Sequence, residues 1–438
     1  MKEYPYWWDT VPELARPATP PASFAGLPAR VDVAIVGAGY TGLAAARQCA
    51  RAGASVVVLE REHVGWGASS RNGGQVLTGM KVDPAALVSR FGETGARRLF
   101  DLSLDAIDAL ERVIADEAIA CDYQRTGHLQ AAAKPSHFQA FRLEQALLAR
   151  VFDHRVELVS REGQHAELGT DAYHGLLVDE RSGALNPAKY AAGLASAARR
   201  AGATIAEHTA VDRLSRVVSP TGTGRWTVAT SSGEGKVEID AGDVLIATNG
   251  YTNGAAPALR RRFVPIGSYI IATEPLAAAD AASLLPRGRM AFDSKNFLYY
   301  WRLTADRRLL FGGRAEFARP TPDTTRRAAS ILREGLARVF PQVASAGIAY
   351  GWGGNVAFTR DQMPRAGRLG EAYYAGGYCG HGIAMATCLG TLIARRMAGE
   401  TIDHPLVDDR FAAIPLYDGR PWFLPLVGAY YRVRDWLE

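Results

Sequence analysis

The sequence has little cysteine and no long apolar run. Its 438 residues include four cysteines, none in a CxxC spacing and none with the histidine pairing that zinc sites need. Free thiols and no metal site are therefore expected. No run of about 18 apolar residues is present, so no transmembrane helix is expected. The opening MKEYPYWWDT has no signal-peptide pattern. These absences favour a cytoplasmic protein.

The sequence also has little excess of charge of either sign. The net charge is +5, and no long basic run is interleaved with aromatics, so nucleic-acid binding is not expected. Hydrophobic residues make up 48% and charged residues 22%, the balance of a folded globular protein of two or three domains. The amphipathic segment 420–438 is predicted to be a terminal helix against its own domain, so peripheral membrane contact is not expected.

What the sequence does contain is a compact unit over 31–61. A β-branched strand, a glycine turn, a helix to about Arg51 and a second strand follow one another. The turn reads GxGxxG, with Gly37 for the tight bend, Gly39 for close approach of a pyrophosphate, and Gly42 for close contact of helix and strand. Glu60 follows at the distance where a carboxylate binds ribose hydroxyls. The unit predicts dinucleotide binding and leaves FAD and NAD both open.

Two further glycine-rich stretches favour FAD. The stretch GWGASSRNGGQV (65–76) offers bare backbone to a long flat ligand, where an NAD dehydrogenase would continue into further βα units. Near the other end, YYAGGYCGHGIAM predicts a strand, a turn and a helix whose N-terminus can stabilise the negative charge of a reduced flavin. Both stretches would border one site.

Six segments together resemble the FAD-dependent amine oxidoreductases of the D-amino-acid-oxidase and monomeric sarcosine oxidase superfamily. They are GAGYTGLAAA, VGWGASSRNGGQV, LNP at 185–187, DVLIATNGYT, FLYYWRLTADRRLLFGG and GYCGHGIA, and they span about residues 30 to 410. Within the superfamily the sequence is most similar to the γ-glutamylputrescine oxidase-like branch.

The resemblance implies an α/β fold. In it, a Rossmann-like FAD-binding domain is interleaved with an α+β substrate domain built on a mixed, largely antiparallel sheet. We expect 1–85, 155–250 and 345–438 to form the FAD-binding domain, and 86–154 with 251–344 to form the substrate domain.

The resemblance also implies the cofactor site. The glycines of the first turn would hold the pyrophosphate, and later positions would meet adenosine, the isoalloxazine ring and its pyrimidine side. The implied set is Gly37, Ala38, Gly39, Tyr40, Thr41, Gly42, Glu60, Arg61, Gly67, Ala68, Ser69, Ser70, Arg71, Asn72, Gly73, Gly74, Gln75, Val211, Gly380, His381, Gly382 and Ile383.

The implied reaction is oxidation of the C–N bond of a primary amine similar to γ-glutamylputrescine. Hydride transfer to the flavin gives an imine, then an aldehyde and ammonia, with O2 reduced to H2O2. The alternative is an FAD-dependent dehydrogenase of a cyclic or N-substituted amino acid that uses a non-oxygen acceptor. A non-enzymatic flavin-binding module is disfavoured.

Several positions depart from the family pattern. The flavin-linking cysteine of sarcosine oxidase falls near Gly354, so non-covalent FAD is expected, and Cys379 is interpreted as a small residue in a tight turn. Gly74 and Ala384 stand where cations bind an amino-acid carboxylate, which favours an amine without one. Phe311 stands where a lysine assists oxygen reduction, which leaves the acceptor open.

Candidate catalytic residues come from the presumed substrate sheet and the second glycine turn. His381 would face flavin or substrate, and Arg302 would bind a distal carboxylate unless it forms a surface ion pair. Aromatic walls would lower the pKa of the amine, although strand aromatics more often belong to a core. The wall candidates are Tyr251, Tyr269 and Trp301, with Tyr299, Tyr300 and Trp352.

Overall fold

Two eight-stranded sheets, each assembled from distant parts of the chain, organise the protein. The computed structural model describes residues 1–12, 27–218, 224–233, 235–313, 320–428 and 430. The strands are β1 (Arg30–Val36), β2 (Val56–Leu59), β3 (Gln75–Val76), β4 (His128–Ala131), β5 (Glu157–Val159), β6 (Leu176–Asp179), β7 (Gly183–Ala184), β8 (Thr204–Ala206), β9 (Ala210–Val218), β10 (Gly224–Ser232), β11 (Gly235–Ile246), β12 (Val264–Thr273), β13 (Met290–Asp293), β14 (Tyr299–Leu303), β15 (Leu309–Gly313), β16 (Ile348–Phe358), β17 (Arg365–Leu369) and β18 (Ala372–Gly376). The helices are α1 (Tyr40–Arg51), α2 (Ala68–Arg71), α3 (Pro84–Asp116), α4 (Pro135–Phe152), α5 (Pro187–Arg200), α6 (Pro257–Arg260), α7 (Ala278–Leu284), α8 (Pro322–Val339) and α9 (Ile383–Met397).

The first sheet has a parallel centre and antiparallel additions. Its order is β17-β18-β11-β1-β2-β8, with β10 on β11 and β9 on β10. Strand β1 lies between β2 and β11 and is parallel to both. Because parallel strands need a crossover, α1 joins β1 to β2 and covers one face. This confirms the predicted Rossmann-like unit, with element bounds within two residues of those expected.

The glycine turn between β1 and α1 is tight in the way that the sequence predicts. Gly37 has φ +104°, in the left-handed region that favours glycine. Gly42 faces it so closely that an added Cβ would overlap the Gly37 carbonyl oxygen. Helix α9 lies against the same part of α1, where a Cβ on Gly390 would overlap the Thr41 carbonyl. The first and last helices of the sheet are therefore in direct contact.

The second sheet is mixed and largely antiparallel, as expected. Its order is β16-β12-β15-β14-β13-β4-β6-β5, and β13 pairs with β4 in parallel while the other neighbours are antiparallel. Strands β5, β6 and β16 belong to this sheet, although the sequence-based ranges 155–250 and 345–438 placed them in the other domain. Their pairing partners, β4 and β12, explain the difference.

Helix limits follow local signals. The sequence Asn186-Pro187 predicts a helix start, and the Asn186 side chain accepts hydrogen bonds from the amides of Ala188 and Lys189 and begins α5 at Pro187. The apolar spacing predicts a helix over 84–118, and α3 continues to Asp116 with a kink at Gly92 (φ 69°). The sequence predicts separate strands over 236–240 and 243–248, but a single strand, β11, runs through both segments as far as Ile246.

The prolines and aromatics of residues 1–30 predict an irregular arm, but residues 1–12 are ordered against the second sheet. Lys2 bonds through its backbone to Ala349 and Gly351, and a 3-10 helix spans Tyr6–Thr10. Within the predicted C-terminal helix, residues 429 and 431–438 lie outside the described residues. No helix in the described part of the chain combines the length and apolar character of a membrane span.

Candidate functional site

A cavity of about 540 Å³ runs between the two sheets. One end lies at the carboxyl ends of β1, β2 and β11, where open α/β sheets bind ligands. The cavity passes the loop 66–75 and the turn 378–383 and continues beneath α3 and α4. It therefore has a dinucleotide end, a middle bordered by both glycine-rich stretches, and a far chamber.

The dinucleotide end presents a helix N-terminus that has no side-chain cap. Gly39 is the N-cap of α1, and it forms no side-chain hydrogen bond. The amide of Tyr40 donates to Ser69 Oγ at 3.0 Å. A Cβ on Gly39 would lie 2.9 Å from the same oxygen. The free amides and positive dipole end of the helix suit a pyrophosphate, and bare backbone permits its approach.

Glu60 lies beside the glycine turn, where a ribose is expected to bind. Its Oε2 accepts from the Ala38 amide at 2.8 Å, and its Oε1 accepts from the Glu62 amide at 3.0 Å. Burial raises the pKa of this carboxyl, and the two amides oppose that effect. Each oxygen keeps a second lone pair, so the fixed carboxylate can still accept hydrogen bonds from ribose hydroxyls.

The loop 66–75 is held from both sides by interactions that the sequence reasoning missed. The Trp7 indole donates to the Asn72 carbonyl at 2.9 Å, and the Trp8 indole donates to Ser70 Oγ at 2.7 Å. The Arg71 guanidinium lies 4.9 Å from the Trp8 ring and 4.5 Å from the Trp66 ring. The dense aromatics of the first ten residues were the signal for these contacts.

The second glycine turn and β16 each place an unsatisfied polar atom beside the middle of the cavity. In the described part of the chain, His381 Nδ1 and Asn355 Oδ1 are shut off from solvent without a partner. Burial lowers the pKa of His381 to about 3, so its ring is neutral. Gly382 caps α9 without a side-chain hydrogen bond, which leaves first-turn amides available. Orphaned polar atoms beside two bare-backbone stretches fit a flat heterocycle with polar edges, as in FAD.

The state of the cysteines does not indicate a covalent bond to a flavin. All four are free. Cys379 borders the cavity, but its thiol donates to the Gly377 carbonyl at 3.1 Å. Burial raises its pKa to about 11, so a thiol rather than a thiolate is present at neutral pH.

Most of the expected cofactor residues border the cavity. They are Gly37, Gly39, Tyr40, Thr41, Glu60, Arg61, Gly67, Ala68, Ser69, Arg71, Asn72, Gly73, Gln75, Val211, Gly380, His381, Gly382 and Ile383. Ala38, Gly42, Ser70 and Gly74 lie directly behind this wall. These four residues contact the residues that form the wall or hold their backbone in place. For example, the Ser70 hydroxyl donates a hydrogen bond to the Gly65 carbonyl.

Three expected catalytic residues lie away from the cavity. Arg302 donates to the carbonyls of Gly74 and Leu185 at 3.0 and 2.9 Å, so its guanidinium is used within the protein rather than by a substrate carboxylate. Trp301 is fully buried, and the Tyr269 hydroxyl donates to Thr324 of α8.

The alternation of side chains along each strand explains the corrections for Trp301 and Tyr269, whereas Arg302 lies on the same face of β14 as Tyr300 and is occupied by the two carbonyls. On β14, Tyr300 faces Gly73 and the cavity, whereas Trp301 points to the opposite face. There Trp301 stacks 6.0 Å from Phe311, which therefore does not occupy a flavin-facing position. Tyr299 contacts Gly335 of α8 on that same face.

Two of the candidate wall aromatics, Tyr251 and Tyr300, do border the cavity. The Tyr251 hydroxyl accepts from the Asn355 amide at 3.0 Å, and its ring lies against Gly67. The Tyr300 hydroxyl is 3.2 Å from Ser268 Oγ. The Trp352 indole instead donates to the Arg71 carbonyl and is buried.

The far chamber contains polar residues that the sequence reasoning did not single out. The charged members are Lys81, Asp83, Glu144 and Asp179, with His128 and His154 beside them. They come from several strands, helices and loops, and only Lys81 and Asp83 lie close together in sequence. The cap position of Asp83 before Pro84 was the one local signal, since it predicts a helix start.

Known proteins share this architecture and much of this sequence. The family model described as DAO, FAD dependent oxidoreductase, matches residues 32–396. Gamma-glutamylputrescine oxidoreductase of Escherichia coli (strain K12) is 34% identical over 412 residues, which cover 92% of this chain and 92% of that protein. The probable oxidoreductase OrdL of Haemophilus influenzae is 33% identical over 375 residues, covering 84% of this chain and 83% of that protein.

Solved structures show the same fold at lower identity. Glycine oxidase from Geobacillus kaustophilus aligns with a TM-score of 0.70 at 21% identity, covering 87% of this chain and 98% of that one. L-proline dehydrogenase from P. horikoshii aligns with a TM-score of 0.67 at 20% identity, covering 86% and 96%.

Proposed function

Because the chain belongs to the DAO family of FAD dependent oxidoreductases, we propose that it oxidises the C–N bond of a primary amine similar to γ-glutamylputrescine. Bound FAD supplies the hydride acceptor for such a reaction. The imine product would hydrolyse to an aldehyde and ammonia, with O2 as the terminal acceptor and H2O2 as its product. FAD would be held without a covalent bond, which agrees with the neutral Cys379 thiol and with Gly354 at the tether position.

The charge of the far chamber is the observation that carries this proposal. Among the described residues that border it, Asp83, Glu144 and Asp179 are acidic and Lys81 is basic. A cationic amine is attracted to such a chamber, whereas an amino-acid carboxylate is repelled. At Gly74, an expected carboxylate-anchoring position, the Leu185 carbonyl and Arg302 leave no room for a larger side chain.

Glu144 is expected to strengthen the preference of the far chamber for a cationic substrate. It has no ion pair or hydrogen bond in the described part of the chain. Burial and the nearby charge of Asp83 raise its pKa from 4.5 to about 7. A substrate ammonium beside it would favour the ionised form. Amine affinity should therefore be low below pH 7, where the carboxyl is protonated, and should rise as the pH passes through 7.

The reaction is tested by anaerobic reduction of the purified, FAD-containing protein. We expect γ-glutamylputrescine or putrescine to bleach the flavin and glycine or L-proline to leave it yellow. Faster bleaching by L-proline than by any amine would select the amino-acid dehydrogenase instead. Admission of air to the reduced protein, with peroxide measured, then decides between O2 and another acceptor.

The role of the chamber is tested with Glu144→Gln. The Michaelis constant for the amine should rise about tenfold, equivalent to about 1.4 kcal/mol, and its change between pH 6 and 8 should disappear. Glu162→Gln removes an exposed glutamate outside the cavity and serves as the matched control. An unchanged pH dependence in Glu144→Gln would contradict cation binding by this carboxylate.

A further inference from the structure

His128 presents one ring nitrogen to the far chamber of the cavity. The residue lies on β4, is 7% exposed, and stacks on Phe292 at 5.2 Å. Its Nδ1 lies 2.8 Å from Ser182 Oγ, which also accepts from the Thr78 amide. Its Nε2 has no hydrogen bond in the described part of the chain and is not sealed from the cavity. With Nδ1–H donating to Ser182, Nε2 offers a lone pair to a bound molecule.

The carboxylate of Asp179 lies near the His128 ring and is held in place by hydrogen bonds. Asp179 Oδ2 accepts from the Thr78 hydroxyl at 2.7 Å and pairs with His154 Nε2 at 2.8 Å. Its Oδ1 accepts from the Arg181 amide at 2.8 Å. Burial alone would raise the pKa of Asp179, but these hydrogen bonds and the two histidines hold it well below its ordinary range. The carboxylate is therefore charged and can stabilise a protonated imidazole.

The other charges near His128 are compatible with a neutral resting ring. Burial lowers the pKa of His128, while the charge of Asp179 raises it and those of His154 and Arg289 lower it. Arg289 is itself paired with Glu167 at 2.7 Å and Glu180 at 2.6 Å, which offsets its charge. An unprotonated imidazole is thus available at neutral pH.

Three other cavity groups are poorer proton acceptors. His381 has a pKa near 3 and an enclosed Nδ1, and Lys81 in its ammonium form can only donate. Asp179 already accepts three hydrogen bonds. An alkylammonium with a pKa of about 10.4 is neutral in about one molecule in 2,500 at pH 7, so a base in the site matters to the rate.

We propose that Nε2 of His128 accepts the proton of the substrate ammonium, with the Asp179 carboxylate as the counter-ion of the resulting imidazolium. The nitrogen–hydrogen bond of the ammonium breaks, its electron pair stays on the amine nitrogen, and a new N–H bond forms at Nε2. The neutral amine can then lose hydride. This inference rests on the proposed amine oxidation and deepens it.

The kinetic test compares wild type with His128→Gln as FAD-containing proteins, mixed anaerobically with γ-glutamylputrescine between pH 6.5 and 10.5. At pH 7 the variant should reduce its flavin about 10²–10⁴-fold more slowly. Its rate should then rise about tenfold per pH unit and approach wild type once solution supplies the free amine. An unchanged rate at pH 7, or an equal loss at every pH, would overturn the proposal.

Two further measurements separate this inference from its premise. His165→Gln removes an exposed histidine outside the cavity and should behave as wild type. With histidines labelled at Cε1, tert-butylamine, which has no hydrogen on the carbon bound to nitrogen, should shift the His128 resonance at pH 7, because its ammonium donates a hydrogen bond to Nε2. Wild type that no amine reduces would refute the proposed function. Wild type that is reduced without a change in this resonance on amine binding would refute the role of His128 alone.

Discussion

Replacing Gly42 with alanine tests the close contact between strand and helix on which the dinucleotide end depends. The new Cβ would overlap the Gly37 carbonyl oxygen and lie 3.2 Å from both the Gly37 carbonyl carbon and Ile35 Cγ2. Two of these atoms are backbone, so the helix must move rather than a side chain rotate. Overpacking of this kind costs about 1–3 kcal/mol of unfolding free energy.

The same movement should weaken FAD binding. The amides at the start of α1 would leave the pyrophosphate position, and one charge-assisted hydrogen bond contributes about 1.5–3 kcal/mol. We therefore expect the FAD dissociation constant to rise about 10- to 100-fold. The measurement is fluorescence titration of the apoprotein with FAD, together with thermal unfolding with and without the cofactor.

Gly53→Ala provides the matched control for this change. It lies just beyond the other end of α1, and an added Cβ there meets nothing within 4 Å among its described neighbours. Its φ of +90° still costs stability, but FAD affinity should stay at the wild-type value. Wild-type FAD affinity and stability in Gly42→Ala would refute the reasoning, because they would mean that the turn and helix are not in close contact.

Three other substitutions have defined outcomes. Trp8→Phe keeps the ring but removes the hydrogen bond to Ser70, so thermal unfolding should show a loss of about 1 kcal/mol, with faster FAD release. Arg302→Met removes the hydrogen bonds to the Gly74 and Leu185 carbonyls, although the Gly74 carbonyl still accepts from the Leu185 amide. It should lower unfolding free energy by about 1–3 kcal/mol, while the Michaelis constant for the amine stays unchanged in steady-state assays. Cys379→Ala should retain FAD, and acid-denatured wild type should release all of its flavin to the supernatant; flavin that stays with the wild-type polypeptide would contradict non-covalent binding.

The sequence was most informative where the determinants are local. The bends at Gly37, the cap at Asn186 and the β-branched run of β1 depend on residues a few positions apart, and their elements form where expected. The family motifs extended this to the overall fold and to most of the expected cofactor positions that border the cavity. The sheet to which β5, β6 and β16 belong depends on pairing partners elsewhere in the chain, so the expected domain ranges did not anticipate it.

The residues of the far chamber were harder to predict from the sequence, for a different reason. Alternation on β14 separates Tyr300 from Trp301 but does not say which of the two faces the cavity. That choice depends on α8, which covers the face of Trp301. His128, Glu144 and Asp179 come from three separate elements, and a single sequence carries no signal that these side chains meet.

The contact between α1 and α9 has a consequence for biosynthesis. Between the glycine turn at Gly37 and the turn before α9, about 350 residues are translated, which takes on the order of 20–70 seconds at ordinary ribosomal speeds. Throughout that interval the nascent chain has a nucleotide-binding turn without its closing helix. Capture of the vitamin-derived cofactor should therefore follow release from the ribosome, and the first 200 residues expressed alone should emerge colourless.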